Sequence, residues 1–141
     1  MKRSASARWT GGLKNGGGTV STGSKALSDL KYSFTSRFED GPGTNPEELV
    51  AAAHAGCFSM ALSAQLSSAG LEPTSIETAA TLTMEKQEIG WTVTAIHLEV
   101  VAKVPGADEA GFRDATESAK KNCPISRLLN TAITMKAALV S

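Results

Sequence analysis

Residues 44–69 constrain the fold more than any other stretch, because they specify a capped, nearly all-apolar helix around one of only two cysteines. Asn45 suits an N-cap, Pro46 suits the first helical position, and Glu48 follows Asn45 at the spacing of a capping box. Gly70 suits the stop. A helix from Pro46 to about Ala69 is roughly 36 Å long at 1.5 Å per residue. Between Leu49 and Leu62 the side chains of Ala51, Ala52, Ala53, Ala55, Cys57, Phe58, Met60 and Ala61 leave few polar positions, so no face of this helix is made for water. Such a helix belongs in a core or an interface, and Gly56 and Ala61 imply that neighbouring strands approach it closely.

A chain of 141 residues is read as one domain, 1–141, with enough length to bury a core. Lys plus Arg and Asp plus Glu both number 14, so no basic field favours nucleic acid or an anionic membrane. Small molecules and proteins are the expected partners. Lys2, Arg3 and Arg8 are not followed by an apolar signal segment, and no segment is read as reaching the ~20 apolar residues of a membrane span. The expectation is a cytoplasmic protein. Two cysteines 66 positions apart match no zinc spacing, and a permanent structural disulfide is not the default in a reducing compartment. They are either buried free thiols or a redox pair.

Ahead of the helix, short runs at Ser6 to Thr10, Thr19 to Thr22 and Tyr32 to Phe38 are separated by glycine clusters at Gly11-Gly12 and Gly16-Gly17-Gly18, predicting a small antiparallel sheet. After Gly70, Ser75 to Glu85 alternates and Trp91 to Val104 is rich in β-branched residues, with a turn at Gln87 to Gly90. Asp108 to Lys121 reads as an amphipathic helix with acids first and lysines last. A break at Asn122-Cys123-Pro124 precedes a helical turn, Ile125 to Leu129, and a final strand carries Ile133, Met135, Ala137 and Leu139 on one face. The order βββ-α-ββ-α-α-β indicates an α+β fold.

The thiolate is the reactive form of cysteine, so the surroundings of each sulfur matter. Local sequence favours Cys123, which precedes Pro124 at a helix start where free amide groups stabilise an anion. Cys57 lies mid-helix among apolar residues, where burial raises a thiol pKa by up to ~3–5 units. A guanidinium about 4 Å away contributes roughly 4 kcal/mol at an effective dielectric of 20, about three pKa units. That only offsets burial, so an activated Cys57 needs an oriented arginine held by a carboxylate. Arg37 is the candidate, read as lying opposite Tyr32, Phe34 and Phe38 on an aromatic strand. Its plainer reading is an exposed strand charge.

Glu47 and Glu48 also have a plain reading, as acids in a helix's first turn. Glu47 precedes Cys57 by ten residues, roughly 15 Å along a straight helix. A joint role of the two therefore calls for Glu47 from a second copy, and hence a homodimer. His54 lies three residues before Cys57 on the same helix face, and its simplest reading is a core histidine bonded to a backbone carbonyl. A metal site from His54, Cys57, His97 and Cys123 has no close-spaced ligand pair behind it. Trp9 and Trp91 read as packing residues.

Thr35 to Glu39, Gly43 to Leu49, Ala52 to Leu62 and Cys123-Pro124-Ile125-Ser126 together resemble the OsmC/Ohr family, in its osmotically inducible branch, with likeness from Trp9 to the last strand. The resemblance implies two antiparallel sheets wrapped around long central helices in an intertwined homodimer. It implies a thiol-dependent peroxidase that reduces organic hydroperoxides, and hydrogen peroxide less well, in oxidative or osmotic stress. By the same resemblance Cys57 is the peroxidatic cysteine, Cys123 resolves it, and Arg37 and Glu47 are the catalytic arginine and glutamate. Glu48 takes the place of Glu47 if the helix begins one residue later. No metal, haem or flavin is called for, and the reductant implied is an external dithiol such as a lipoylated protein. The competing reading is a non-enzymatic redox sensor or a store for a lipid-like ligand; a blander one is a structural stress protein with inert thiols.

Overall fold

The computed structural model describes residues 1–141, arranged as two three-stranded sheets and four helices. The chain runs β1 (Ala5–Thr10), β2 (Gly17–Thr22), β3 (Leu30–Tyr32), α1 (Phe34–Phe38), α2 (Pro46–Ser68), β4 (Ser75–Gln87), β5 (Gly90–Lys103), α3 (Glu109–Asn122), α4 (Pro124–Leu128) and β6 (Ala132–Val140). The α+β class and the order of the long elements agree with the sequence reading. By contact density the chain divides into two units, Met1–Leu49 and Val50–Ser141.

In the first unit β1, β2 and β3 form an antiparallel sheet. Gly17 and Gly18 belong to β2 rather than to the turn expected there. Gly18 pairs with both Trp9 and Tyr32, whose rings tilt together at 5.3 Å. A Cβ at Gly18 would come within 2.5 Å of the Tyr32 ring, so only glycine admits this closure.

The expected strand from Tyr32 to Phe38 ends at Tyr32 and gives way to α1. Its cause is a capping box: Ser33 Oγ accepts from the Ser36 N–H at 3.2 Å, and Ser36 Oγ accepts from the Ser33 N–H at 2.8 Å. These local bonds offer the backbone a helix start that outweighs the β preference of the aromatics. Phe34 and Phe38 then stand four residues apart on a helix and stack at 4.9 Å.

The second unit is built on a sheet ordered β4-β5-β6. Its first pair is antiparallel, but β6 runs parallel to β5, so this sheet is mixed rather than wholly antiparallel. A parallel neighbour needs a long crossover, which α3 and α4 supply. Ile96, Leu98, Val100 and Ala102 of β5 share the core with Phe58, Leu62 and Leu66 of α2 and with Phe112 and Ala119 of α3.

Helix α2 starts as its sequence predicts, with Asn45 Oδ1 accepting from the Glu48 N–H at 2.8 Å. Its buried side chains, His54, Phe58, Leu62 and Leu66, recur every fourth residue. The opposite stripe, Ala52, Gly56, Met60 and Ala64, is exposed. Contrary to expectation, a Cβ on Gly56 would meet nothing within 4 Å, so no strand of this chain approaches there. With 23 residues, of which the most apolar 18-residue stretch has a mean hydropathy of 1.4, α2 also meets the length and composition of a membrane-crossing helix, contrary to the expectation that no segment does. Its buried stripe nevertheless packs it into the sheet core.

His54 is fully buried, and burial lowers its pKa from the ordinary 6.5. Its partner is a side chain, not the backbone carbonyl expected: Nε2 lies 2.7 Å from Ser126 Oγ of α4. In the unfolded chain this imidazole takes up a proton near its ordinary value, whereas the folded protein resists that proton to lower pH. The stabilisation is therefore present above pH 6.5 and is lost as pH falls below it. Chemical denaturation as a function of pH should show a loss approaching ~1.4 kcal/mol per pH unit on the acid side of that value, attributable to one proton. The slope should flatten in His54→Gln.

Candidate active site

Two sets of predicted site residues come together, one in each unit. In the first, α1 presents Arg37 and the first turn of α2 presents Glu47. The guanidinium donates to both oxygens of the carboxylate, from Nε at 3.1 Å to each and from Nη2 at 2.6 Å to Oε1. Such two-pronged contact fixes the plane and position of the charge as a single contact does not. Arg37 also lies 5.1 Å from the centroid of the Phe38 ring.

The pair sits on a braced junction. Asn45 Nδ2 donates to the Ser36 carbonyl at 3.0 Å, Ser36 Oγ donates to the Thr44 carbonyl at 2.8 Å, and Thr44 bridges to Tyr32. The capping that overturns the expected strand is thus what lashes α1 to the start of α2. Glu48 is engaged elsewhere, with its carboxylate accepting from Thr44 Oγ1 at 3.1 Å, so Glu47 is the residue that grips Arg37. Beside Arg37 a cavity of about 260 Å³ is walled by Trp9, Leu13, Tyr32, Phe34 and Phe38.

In the second unit, Cys57 and Cys123 are free thiols with sulfurs 2.8 Å apart. Local sequence favours Cys123 as the reactive thiol, yet Cys123 is fully buried, while Cys57, expected to be buried within its helix, is partly open. Cys123 ends α3, donating its N–H to the Ala119 carbonyl at 2.9 Å, and starts α4, where its carbonyl accepts from the Arg127 N–H at 3.0 Å. Pro124 separates the two helices.

Burial pushes the Cys57 thiol up, and the adjacent Cys123 sulfur adds to this, while the Ile125 backbone N–H draws it down. No cation of the unit 50–141 is among the groups acting on Cys57. The contribution of Ile125 was missed in the sequence, where only the dipeptide Cys123-Pro124 hinted that α4 begins beside a sulfur. His97, the other histidine, has Nδ1 2.6 Å from Thr134 Oγ1 on the sheet. No three or more His, Cys, Asp or Glu side chains converge to hold a metal.

Adjacent thiols of unequal exposure can exchange two electrons, one sulfur meeting an oxidant and the other closing on it. Comparison with known proteins identifies the family. A sequence model of OsmC-like proteins matches residues 39–138. The chain is 46% identical over 141 residues to the peroxiredoxin OsmC of Escherichia coli K12, covering all of this chain and 99% of that protein. The peroxiredoxin OsmC of Shigella flexneri matches to the same extent. Among solved structures, an OsmC-like protein of Vibrio cholerae has a TM-score of 0.79 at 16% identity, with 98% of this chain and 99% of that one covered. The organic hydroperoxide resistance protein OhrB of Bacillus subtilis has a TM-score of 0.70 at 22% identity, covering 96% of this chain and 98% of that one. The family model matched over residues 39–138 and the full-length identity to these relatives place this chain in the OsmC-like protein family.

Proposed function

We propose that this protein is a thiol-dependent peroxidase that reduces organic hydroperoxides to alcohols. The observation that carries the reading is the pair of free thiols 2.8 Å apart, one partly open and one buried. The Cys57 thiolate attacks the terminal oxygen of the hydroperoxide, the O–O bond breaks, and the departing alkoxide takes a proton to leave as an alcohol. Cys57 is left as a sulfenic acid. The Cys123 sulfur then attacks the Cys57 sulfur, an S–S bond replaces S–O, and the hydroxide leaves as water with the Cys123 proton. An external dithiol, for which a lipoylated protein has the right chemistry, returns the disulfide to two thiols.

Cys57 needs a positive charge that its own unit does not supply. The family resemblance gives that role to Arg37, oriented by Glu47, and in this proposal a second copy of the chain supplies it; the aromatic cavity beside Arg37 suits the alkyl substituent of the peroxide. The protein acts as a homodimer. Support for this comes from the exposed stripe of α2, where Ala52, Gly56, Met60 and Ala64 form an apolar face with no cover in one chain and Met60 is 77% exposed. Small residues along such a stripe allow close approach of a second copy.

With a dihydrolipoyl compound in excess, wild type should turn over many equivalents of cumene hydroperoxide, and Cys57→Ser should lose essentially all turnover. Arg37→Ala should lower kcat/KM by a factor on the order of 10² if one well-placed charge is worth ~3 kcal/mol in the transition state. Absence of turnover in wild type would replace this reading with that of a stoichiometric sensor or a ligand-binding protein. In sedimentation, Met60→Glu should shift the dimer toward monomer, and a monomeric wild type would rule out the proposed interface.

A further inference from the structure

Helices α2 and α4 touch through two pairs set at the same spacing. His54 lies three residues before Cys57, Ser126 lies three residues after Cys123, and His54 bonds Ser126 as Cys57 meets Cys123. His54 and Cys123 are fully buried and Ser126 is 8% exposed, so water does not compete for this bond. The other ring nitrogen, Nδ1, is buried with no hydrogen-bond partner. An imidazole held this way costs desolvation that an aliphatic side chain would avoid, and its one polar contact is with α4.

α4 has only five residues and no side-chain cap at its start. So short a helix does not hold its own position, because nucleating a turn fixes several residues for few hydrogen bonds. Its placement must come from outside, and placement matters twice over: α4 carries the Ile125 N–H that meets the Cys57 sulfur and begins at Cys123 itself.

We propose that the buried His54–Ser126 hydrogen bond is a positioning clamp that keeps α4 in register with α2, holding the Cys123 sulfur and the Ile125 N–H against the Cys57 sulfur. Its bearing on catalysis rests on the peroxidase reading above; its bearing on thiol pairing does not. When Cys57 is a sulfenic acid, the clamp speeds the step in which the S–S bond forms, the S–O bond breaks and water leaves. With the clamp gone, the sulfenic acid persists and is open to a second peroxide, which would carry it to the sulfinic acid. His54 and Ser126 are positioning residues in this scheme.

The test uses the full chain as wild type, Ser126→Ala, Ser126→Thr, His54→Leu and His54→Gln. Equilibration with reduced and oxidised glutathione, in which two protein thiols become a disulfide as one glutathione disulfide becomes two thiols, measures the effective concentration of the pair without any peroxide. Ser126→Ala should lower it about tenfold, ~1.4 kcal/mol. Ser126→Thr, which keeps the hydroxyl, should restore it to within about twofold. His54→Leu breaks the bond from the other helix and should show the same loss, which covers the case of Ser126→Ala failing to fold. His54→Gln, whose amide reaches where Nε2 sat, should retain most of the wild-type value.

After one equivalent of cumene hydroperoxide, dimedone should trap a Cys57 sulfenic acid in Ser126→Ala and far less in wild type. Variants that melt earlier yet keep the wild-type effective concentration would overturn the clamp in favour of a merely structural bond. A clamp effect in glutathione with no peroxide consumed by wild type would uphold the clamp and overturn the peroxidase reading.

Discussion

The contact between the middle of α2 and the start of α4 is the constraint on which the second unit depends. Two sulfurs from distant parts of the chain stand 2.8 Å apart, a separation that tolerates little error in either helix. The long stripe of His54, Phe58, Leu62 and Leu66 anchors α2 in the core shared with β5 and α3. The parallel pairing of β6 with β5 requires a crossover, and Cys123 lies at the break within that crossover, between α3 and α4. The topology that closes the sheet is thus also the one that carries the second thiol to the first.

The first unit solves a different problem, that of fixing a guanidinium. Arg37 is on a helix of one turn, which alone would leave its side chain free to wander. The Ser33 capping box, the Asn45 bond to the Ser36 carbonyl and the carboxylate of Glu47 remove that freedom from three directions. A charge held by a two-pronged carboxylate contact keeps its net field toward a third group only along the directions the carboxylate leaves open, so the contact fixes where that field is directed.

Much of this was legible in the sequence, for physical reasons. The capping residues Asn45, Pro46 and Glu48 and the stop at Gly70 marked α2 to within a residue or two, because caps are local chemistry. The β4–β5 hairpin and α3 were equally plain from alternation and from helical spacing. The strand expected at Tyr32 to Phe38 gives way to α1 because the Ser33–Ser36 box outweighs the β preference of the aromatics, and the parallel β6 was not legible because pairing direction depends on long-range topology. The partial opening of Cys57 was not legible for a similar reason. An apolar neighbourhood in sequence suggested a buried Cys57, whereas in space it is Cys123, at the α3–α4 break, that is sealed. Pairing of Arg37 with Glu47 came from family resemblance, and the His54–Ser126 contact had only its spacing from the two cysteines to announce it.

The central claim, that the two thiols form one redox unit within a chain, is tested most directly by stoichiometry. Fully reduced protein would be mixed with one equivalent of an organic hydroperoxide per chain, with the alcohol quantified, the free thiols counted and the linkage mapped by non-reducing peptide mass spectrometry. The predicted result is one alcohol formed, both thiols lost and a single Cys57–Cys123 linkage inside each chain. Peroxide left intact, or consumed while the Cys123 thiol stays free, would contradict it.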